Sequence, residues 1–478
     1  MSKITNNLEQ VIEGMKLASE TITSTMGPKG KLVAIYEDNK IKFTKDGVTV
    51  AKSIELPDPL QNIGAKILIS AANQTVAQCG DGTTATSLLT TKFIEHFYKT
   101  LVESTDTNKK LKELDEEVEQ IVSKLESASQ TLTTPEEIKD ITTISSNSEK
   151  IGDIFYEIYS EVGLDSLIYL ERPSGALNTH YEVSKGAEFN SGFVHSAFIN
   201  DKVNSSVVFE DVYLHITADP VTQVTKEISD LLGAAMNHNK AIVIVAPRFS
   251  DTFIRTAVMN KTQQNLQVCL VKTPGYGEGI SKNQNDLKAY LSEANTIDKV
   301  VITTHTMTLF NEDTPHLTKH IEHLKNLANT AIEPYAKKDY LRRAHELGRT
   351  AATIFAGGVT PEAAFEEYDR LEDAVGAART AVNSGFLPGG GLALLQAGIS
   401  TPLDHITNAP YIKILRNANE KVRYSPSLNH GINFKTGEFT DYVANGIIDP
   451  TDVVINSFKN AYESFRLIFN TSYIVDNN

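Results

Sequence analysis

The sequence predicts a multidomain α+β protein in which a mostly helical part, an α/β part and a second helical part follow one another. Three observations carry this. Apolar residues recur at helical spacing towards both ends, short β-branched runs alternate with helical segments in the middle, and 478 residues suffice for two or three separate cores.

Near the start, Leu8, Val11, Ile12, Met15 and Ile22 mark one face of a helix that stops before Gly27-Pro28. Residues 31–50 read as extended, broken by the turn signals Asp38-Asn39 and Asp46-Gly47. Residues 59–130 read as long helices, with Leu89, Phe93, Phe97 and Leu101 at steps of four after the Gly80-Asp81-Gly82 break. In the middle, strand-like runs at 212–217, 241–246, 267–271 and 299–303 alternate with helical segments. From His316 onward Leu317, Ile321, Leu324 and Ala328 form a stripe, helices dominate to about Gly385, and the chain closes with a helix and a strand-like 472–475. The economical arrangement inserts the central part into an outer domain made from both ends.

With 45 Lys+Arg against 60 Asp+Glu, a net charge of −15 argues against nucleic acid, whose phosphates are bound by Lys and Arg. Cys79 and Cys269 are the only cysteines and show no metal or disulfide spacing, so a reducing cytoplasm is the expected location. The first residues lack a signal-peptide core and the longest apolar runs are strand-sized, so no membrane contact is expected.

The densest chemical candidate is Gly80-Asp81-Gly82-Thr83-Thr84 at a helix start. Glycines permit close approach, a helix N-terminus offers free N–H groups, and Asp81 could hold the Mg²⁺ of a nucleotide. A simple capped turn fits the same residues. Thr25-Met26-Gly27-Pro28-Lys29-Gly30 reads as a helix stop, Thr44-Lys45-Asp46-Gly47 as a hairpin turn, and Pro388-Gly389-Gly390-Gly391 as a hinge, a close-packing site or a phosphate loop. No GxxxxGK[ST], GxSxG or HExxH occurs, and Gly275, Gly277 and Gly279 miss the GxGxxG spacing. His316, His320 and His323 share a helix face but read as solvated neighbours of the apolar stripe rather than metal ligands.

In order, TMGPKG (25–30), TKDGVTV (44–50), GDGTT (80–84), TISSNS (143–148), KTPGYGE (272–278), LEDAVGAARTAV (371–382), PGGG (388–391) and GIIDPT (446–451) resemble the group I chaperonins, the GroEL-like family. The resemblance runs from about residue 8 to residue 475 and thins at 279–345 and 400–430. It implies an equatorial ATP-binding and ring-forming domain (1–129 and 384–478), an intermediate domain (130–185 and 359–383) and an inserted α/β apical domain (186–358). It implies ATP along Thr25, Met26, Gly27 and Pro28, Mg²⁺ on Asp81, and phosphate donors at Gly82, Thr83 and Thr84. Gly390 and Asp449 would flank base and ribose with Asn433 nearby, and Lys45 and Thr84 match positions linked to K⁺. Asp373 matches the carboxylate that orients the attacking water, and Asp46 its helper. Phe193, Phe198, Leu232, Ile254, Val258 and Met259 match positions that face the ring cavity and capture non-native polypeptides, and Gly186, Gly357 and Gly358 match a hinge.

Ala85 interrupts the usual threonine run, Asn383-Ser384 replaces an acidic pair, and several tens of residues are missing after Lys282, after Gly358 and around 400–430. Such a shortened, divergent version points to a phage or another fast-evolving genome. The expectation is an active Mg-ATPase that folds proteins in a homo-oligomeric ring of about seven subunits. The need for a co-chaperonin stays open, and a nucleotide-binding ring scaffold without refolding activity is the alternative.

Overall fold

The computed structural model describes residues 3–476 apart from 6, 38, 39, 165, 174, 203, 204, 265, 293, 313, 332, 349, 426–428, 472 and 473. The expected Asp38-Asn39 turn and the first two residues of the expected last strand, Ser472 and Tyr473, lie outside the described residues. The chain forms two compact units: Met1–Leu164 with Leu170–His180 and Ile354–Asn478, and Asp165–Tyr169 with Tyr181–Thr353. The second is therefore inserted in sequence into the first. Strands Lys3–Thr5 and Ile474–Asp476 pair antiparallel, which joins the two ends of the chain.

In the first unit, helices Leu8–Thr23, Pro59–Cys79, Thr83–Phe93, Thr107–Ala128 and Thr451–Phe469 bury one apolar stripe each in a common core. Phe93 sits at its centre, its ring 5.6 Å from Phe458, 5.3 Å from Tyr462 and 5.9 Å from Phe465. The step-of-four stripe has a physical counterpart. Four residues overshoot an α-helical turn, so such a stripe drifts, and the chain absorbs the drift in one π-helical segment, Ile94–Tyr98.

The extended reading of 31–50 holds only in part. Val33–Glu37 and Lys40–Thr44 pair as an antiparallel hairpin, but Gly47–Ser53 is a helix. Asp46, read as a turn residue, is its N-cap and accepts from the N–H groups of Val48 at 3.0 Å and Thr49 at 2.7 Å. The same short acceptor side chain serves both roles, so residue type did not separate them.

The long helix Pro361–Ser384 starts at the Thr360 cap with proline in its first turn. It buries Ala364, Tyr368, Leu371, Ala374, Ala377, Ala378 and Ala381. Beyond it, Phe386–Pro388 pairs with Ile448–Pro450, with Leu387 opposite Asp449.

The second unit is built on an eight-stranded sheet. Its order is Leu167–Glu171, Thr350–Phe355, His180–Phe189, Met307–Phe310, Thr296–Ile302, Val207–Ile216, Ala241–Ala246 and Val268–Lys272. The last three are parallel neighbours, and all six residues of Ala241–Ala246 are buried, as a parallel strand covered on both faces requires. Helices Glu278–Ala289, Leu317–Thr330 and Pro334–Leu347 are tied together by one buried ion cluster. Arg343 donates to Asp286 from Nε at 2.8 Å and Nη2 at 2.7 Å, and His320 Nε2 lies 2.7 Å from Asp286 Oδ1. His320 is thus a structural partner rather than a solvated neighbour, since its carboxylate comes from a helix distant in sequence.

Candidate active site

Helix Pro59–Cys79 ends at Gly80 with φ 72°, and Gly82, with φ 106°, begins Thr83–Phe93. Both values lie in the left-handed region that glycine adopts freely. The turn therefore reverses within three residues and leaves the new helix without a side-chain cap. Its first N–H groups stay available. The Thr83 hydroxyl is buried with no hydrogen-bond partner, a costly arrangement unless something else accepts it. Asp81 lies between the glycines, its Oδ1 accepting from Gly82 N at 2.5 Å.

Two further loops close on this turn. Gly47 approaches it so nearly that a Cβ there would lie 2.6 Å from Thr84 Oγ1. Asp46 is anchored just before it. On the other side, Asp449 accepts from Gly390 N at 2.9 Å. Gly390, with φ 58°, faces the Phe434 ring, which a Cβ would meet at 2.6 Å. The helix Pro361–Ser384 adds Asp373. Its Gly376 rests on Gly80, each without a side chain where a Cβ would strike the other's Cα.

Asp81 feels the charge of Asp46, Asp373 feels those of Asp81 and Asp46, and Asp449 feels that of Asp81. Burial, then the charges of Asp81 and Asp46, hold the Asp373 carboxyl well above its ordinary value. Burial also raises Asp81, opposed by the Gly82 N–H and reinforced by Asp46. Asp449 is pushed up to about 6 by burial and then by Asp81. Carboxylates gathered around an orphaned hydroxyl and an open helix N-terminus suit a polyphosphate carrying a divalent cation. No group of three or more His, Cys, Asp or Glu among the described residues is arranged to hold a metal by itself.

The 25–30 segment borders these loops. Thr25 is buried and donates to Ile22 O at 2.8 Å, Met26 packs beside Ile414, and Gly27, with φ 81°, leaves no room for a Cβ against that side chain. Lys45 Nζ donates to Pro28 O at 3.4 Å, so the hairpin end and this loop are linked. Asn433 is held differently. Its Oδ1 accepts from Lys435 N at 2.9 Å and Thr436 N at 3.3 Å, a turn of its own loop, whereas its neighbour Phe434 is the side chain that meets Gly390.

Compared with known proteins, the family model of the TCP-1/cpn60 chaperonins matches residues 18–403. The chain belongs to the chaperonin family. This chaperonin is 28% identical to the mitochondrial chaperonin homolog Hsp-60 of Caenorhabditis elegans, over 98% of this chain and 90% of that one. It is 27% identical to chaperonin GroEL of Orientia tsutsugamushi, over 98% and 92%. Among solved structures it resembles the chaperonin gp146 from the bacteriophage EL 2 (Pseudomonas aeruginosa), with a TM-score of 0.70 at 20% identity and 98% of each chain covered. That structure was obtained in the presence of ATP-BeFx.

The six residues expected to face a cavity all lie in the chaperonin's second unit. Helices Lys226–His238 and Asp251–Gln264 flank a cleft lined by Val224, Leu232, Phe253, Thr256, Ala257 and Asn260. Leu232, Ile254 and Val258 are partly buried against the core, Phe193 likewise, and Met259 is 54% exposed. Phe198 differs from expectation: it is fully buried and offers no surface, because the 3₁₀ turn Ser196–Phe198 folds it into the sheet core. Val224 lies just before the Thr225 cap of Lys226–His238 and is exposed.

The hinge glycines also divide. Gly357 and Gly358 lie in a loop just past the end of the inserted unit, packed on the backbone of Asn178 and Ala364. Gly186 stands within strand His180–Phe189 opposite Phe310, where it makes room for Ala351. Among the described residues no helix is long and apolar enough to cross a membrane.

Proposed function

We propose that this chaperonin uses ATP binding and hydrolysis to fold non-native polypeptides. The observation that carries the catalytic part is that Asp373, one turn from the contact of Gly376 with Gly80, faces the charges of Asp81 and Asp46, while the Thr83 hydroxyl at the end of the same turn is buried and unpartnered. In this reading the uncapped start of Thr83–Phe93 and the hydroxyls of Thr83 and Thr84 donate to phosphate oxygens. Asp81 holds Mg²⁺, which supplies neutralisation of phosphate charge when bound. Lys45 and Thr84 border a K⁺ position. Asp373 orients the attacking water and accepts its proton, with Asp46 as helper.

Three further elements belong to the proposal. The first unit divides into equatorial and intermediate parts, with movement at Gly357-Gly358. The cleft between Lys226–His238 and Asp251–Gln264 takes apolar segments of clients. The chain forms a cytoplasmic ring of about seven subunits through the hairpin Val33–Glu37/Lys40–Thr44, whose Tyr36 (71%), Ile41 (61%) and Phe43 (59%) are exposed beside unpaired strand edges. The buried Phe198 thins the capture surface and favours, as second reading, a ring scaffold without refolding activity. Steady-state ATP hydrolysis tests the first part: Asp373→Ala should lose it while retaining nucleotide binding, and a wild-type rate would overturn the assignment. Recovery of a denatured client with ATP, with and without a co-chaperonin, separates chaperone from scaffold.

A further inference from the structure

Along helix Pro361–Ser384, Asp369, Asp373, Gly376 and Thr380 follow at steps of four, three and four residues, which aligns them on one face. Every one of them meets the 40–84 part of the first unit. Lys42 Nζ lies 3.3 Å from Asp369 Oδ2. Asp373 faces the charges of Asp81 and Asp46. A Cβ on Gly376 would lie 2.7 Å from Gly80 Cα, and one on Gly80 would lie 2.4 Å from Gly376 Cα. Thr380 Oγ1 donates to Cys79 O at 2.7 Å.

We propose that Gly376 and the Lys42–Asp369 pair are positioning residues for hydrolysis, fixing the helix one turn to either side of Asp373. The inference rests on the reading of Asp373 as the group that orients water. Glycine is a poor choice inside a helix, so its presence at 376 amid strong helix formers needs a reason, and the backbone contact with Gly80 supplies it. Gly80 is itself constrained by its left-handed φ, which fixes where the helix must land. On the other side, Lys42 stands four residues before Asp46 on the strand that leads into it. The pair therefore sets the distance between the strand carrying Asp46 and the helix carrying Asp373. Lys52 also acts on Asp369, and Lys52 and Arg172 on Glu372, at longer range, while Lys42 makes the direct contact. An exposed ion pair contributes little to stability, so its effect should be read in rate rather than in melting.

The test measures steady-state ATP hydrolysis and equilibrium ADP binding on the full-length protein. A misplacement of about 1 Å in an active site costs on the order of 100-fold in rate. Gly376→Val should therefore lower kcat by roughly 10- to 100-fold while the ADP Kd and the KM for ATP stay within about twofold. Lys42→Ala should lower kcat several-fold, Lys42→Arg should restore it, and Lys42→Asp with Asp369→Lys should recover activity beyond either single change. The proposal is overturned if Gly376→Val keeps its kcat or loses ADP binding in proportion, or if Lys42→Arg is as slow as Lys42→Ala. Asp373→Asn is the control. If it hydrolyses ATP at the wild-type rate, the catalytic reading itself has failed; if it is inactive while Gly376→Val is not, only the positioning has.

Discussion

Replacing Asp449 by asparagine removes one charge from the carboxylate cluster and keeps an oxygen for the Gly390 N–H. Burial and Asp81 push the Asp449 pKa up from 3.8 to about 6. The folded state therefore binds a proton more tightly than the unfolded one, and stability present below pH ~4 is lost as pH rises through about 6. At about 1.36 kcal/mol per unit the full cost is about 3 kcal/mol, and partial exposure of the side chain reduces it to roughly 1–2 kcal/mol. Asp449→Asn should then melt about 2–4 °C above wild type near pH 8, without nucleotide and in EDTA, and should match wild type near pH 4. The gain would be offset in function, since the reading above puts Asp449 against the ribose and predicts weaker ADP binding. A melting difference that is the same at both pH values, or a variant less stable near pH 8, would refute the electrostatic argument.

The Asp373 carboxyl is held well above its ordinary value, and its basic form is the active one, so kcat should fall as pH drops through its pKa. Asp373→Ala should show a low, flat profile by the same steady-state assay. In the second unit, Asp286→Asn leaves Arg343 buried without its counter-charge and should destabilise by about 3–5 kcal/mol, read by urea unfolding followed at that unit. Arg343 and His320 outweigh burial and hold the Asp286 carboxyl below its usual value, so this contribution should be present above pH ~4 and be lost on acidification. Tyr36→Ser combined with Phe43→Ser should dissociate the proposed ring to slower-sedimenting species in analytical ultracentrifugation, with the far-UV circular dichroism unchanged.

Much of this was legible in the sequence because the signals were local. Helix periodicity marked Leu8–Thr23, and the six apolar residues of Ala241–Ala246 marked a strand. The Gly80-Asp81-Gly82 break marked the turn. Strand His180–Phe189 was missed because HYEVSKGAEF has no apolar run, its place being fixed by neighbours distant in sequence. Residues 47–50 read as extended because Val48, Thr49 and Val50 favour strands, while the Asp46 cap and burial of Val50 and Ala51 decide for the helix Gly47–Ser53. At the site, residue types pointed to Asp81 and Thr83, but Lys42–Asp369 joins residues far apart in sequence, which no local pattern reveals. Gly376 did carry a signal: a lone glycine in an Ala-rich helix marks close backbone approach.

The two faces of Pro361–Ser384 are fastened by different means. One buries Ala374, Ala377, Ala378 and Ala381, and pulling it away would return packed methyl groups to water. The other rests on Gly80 through bare backbone, with Lys42 able to exchange Asp369 for solvent. Lifting that second face would break one hydrogen bond, from Thr380 to Cys79 O, and one ion pair, but would return no buried apolar stripe to water. The face that carries Asp373 is thus the less firmly fastened of the two: its seat is a backbone contact flanked by two polar side-chain contacts that water can replace.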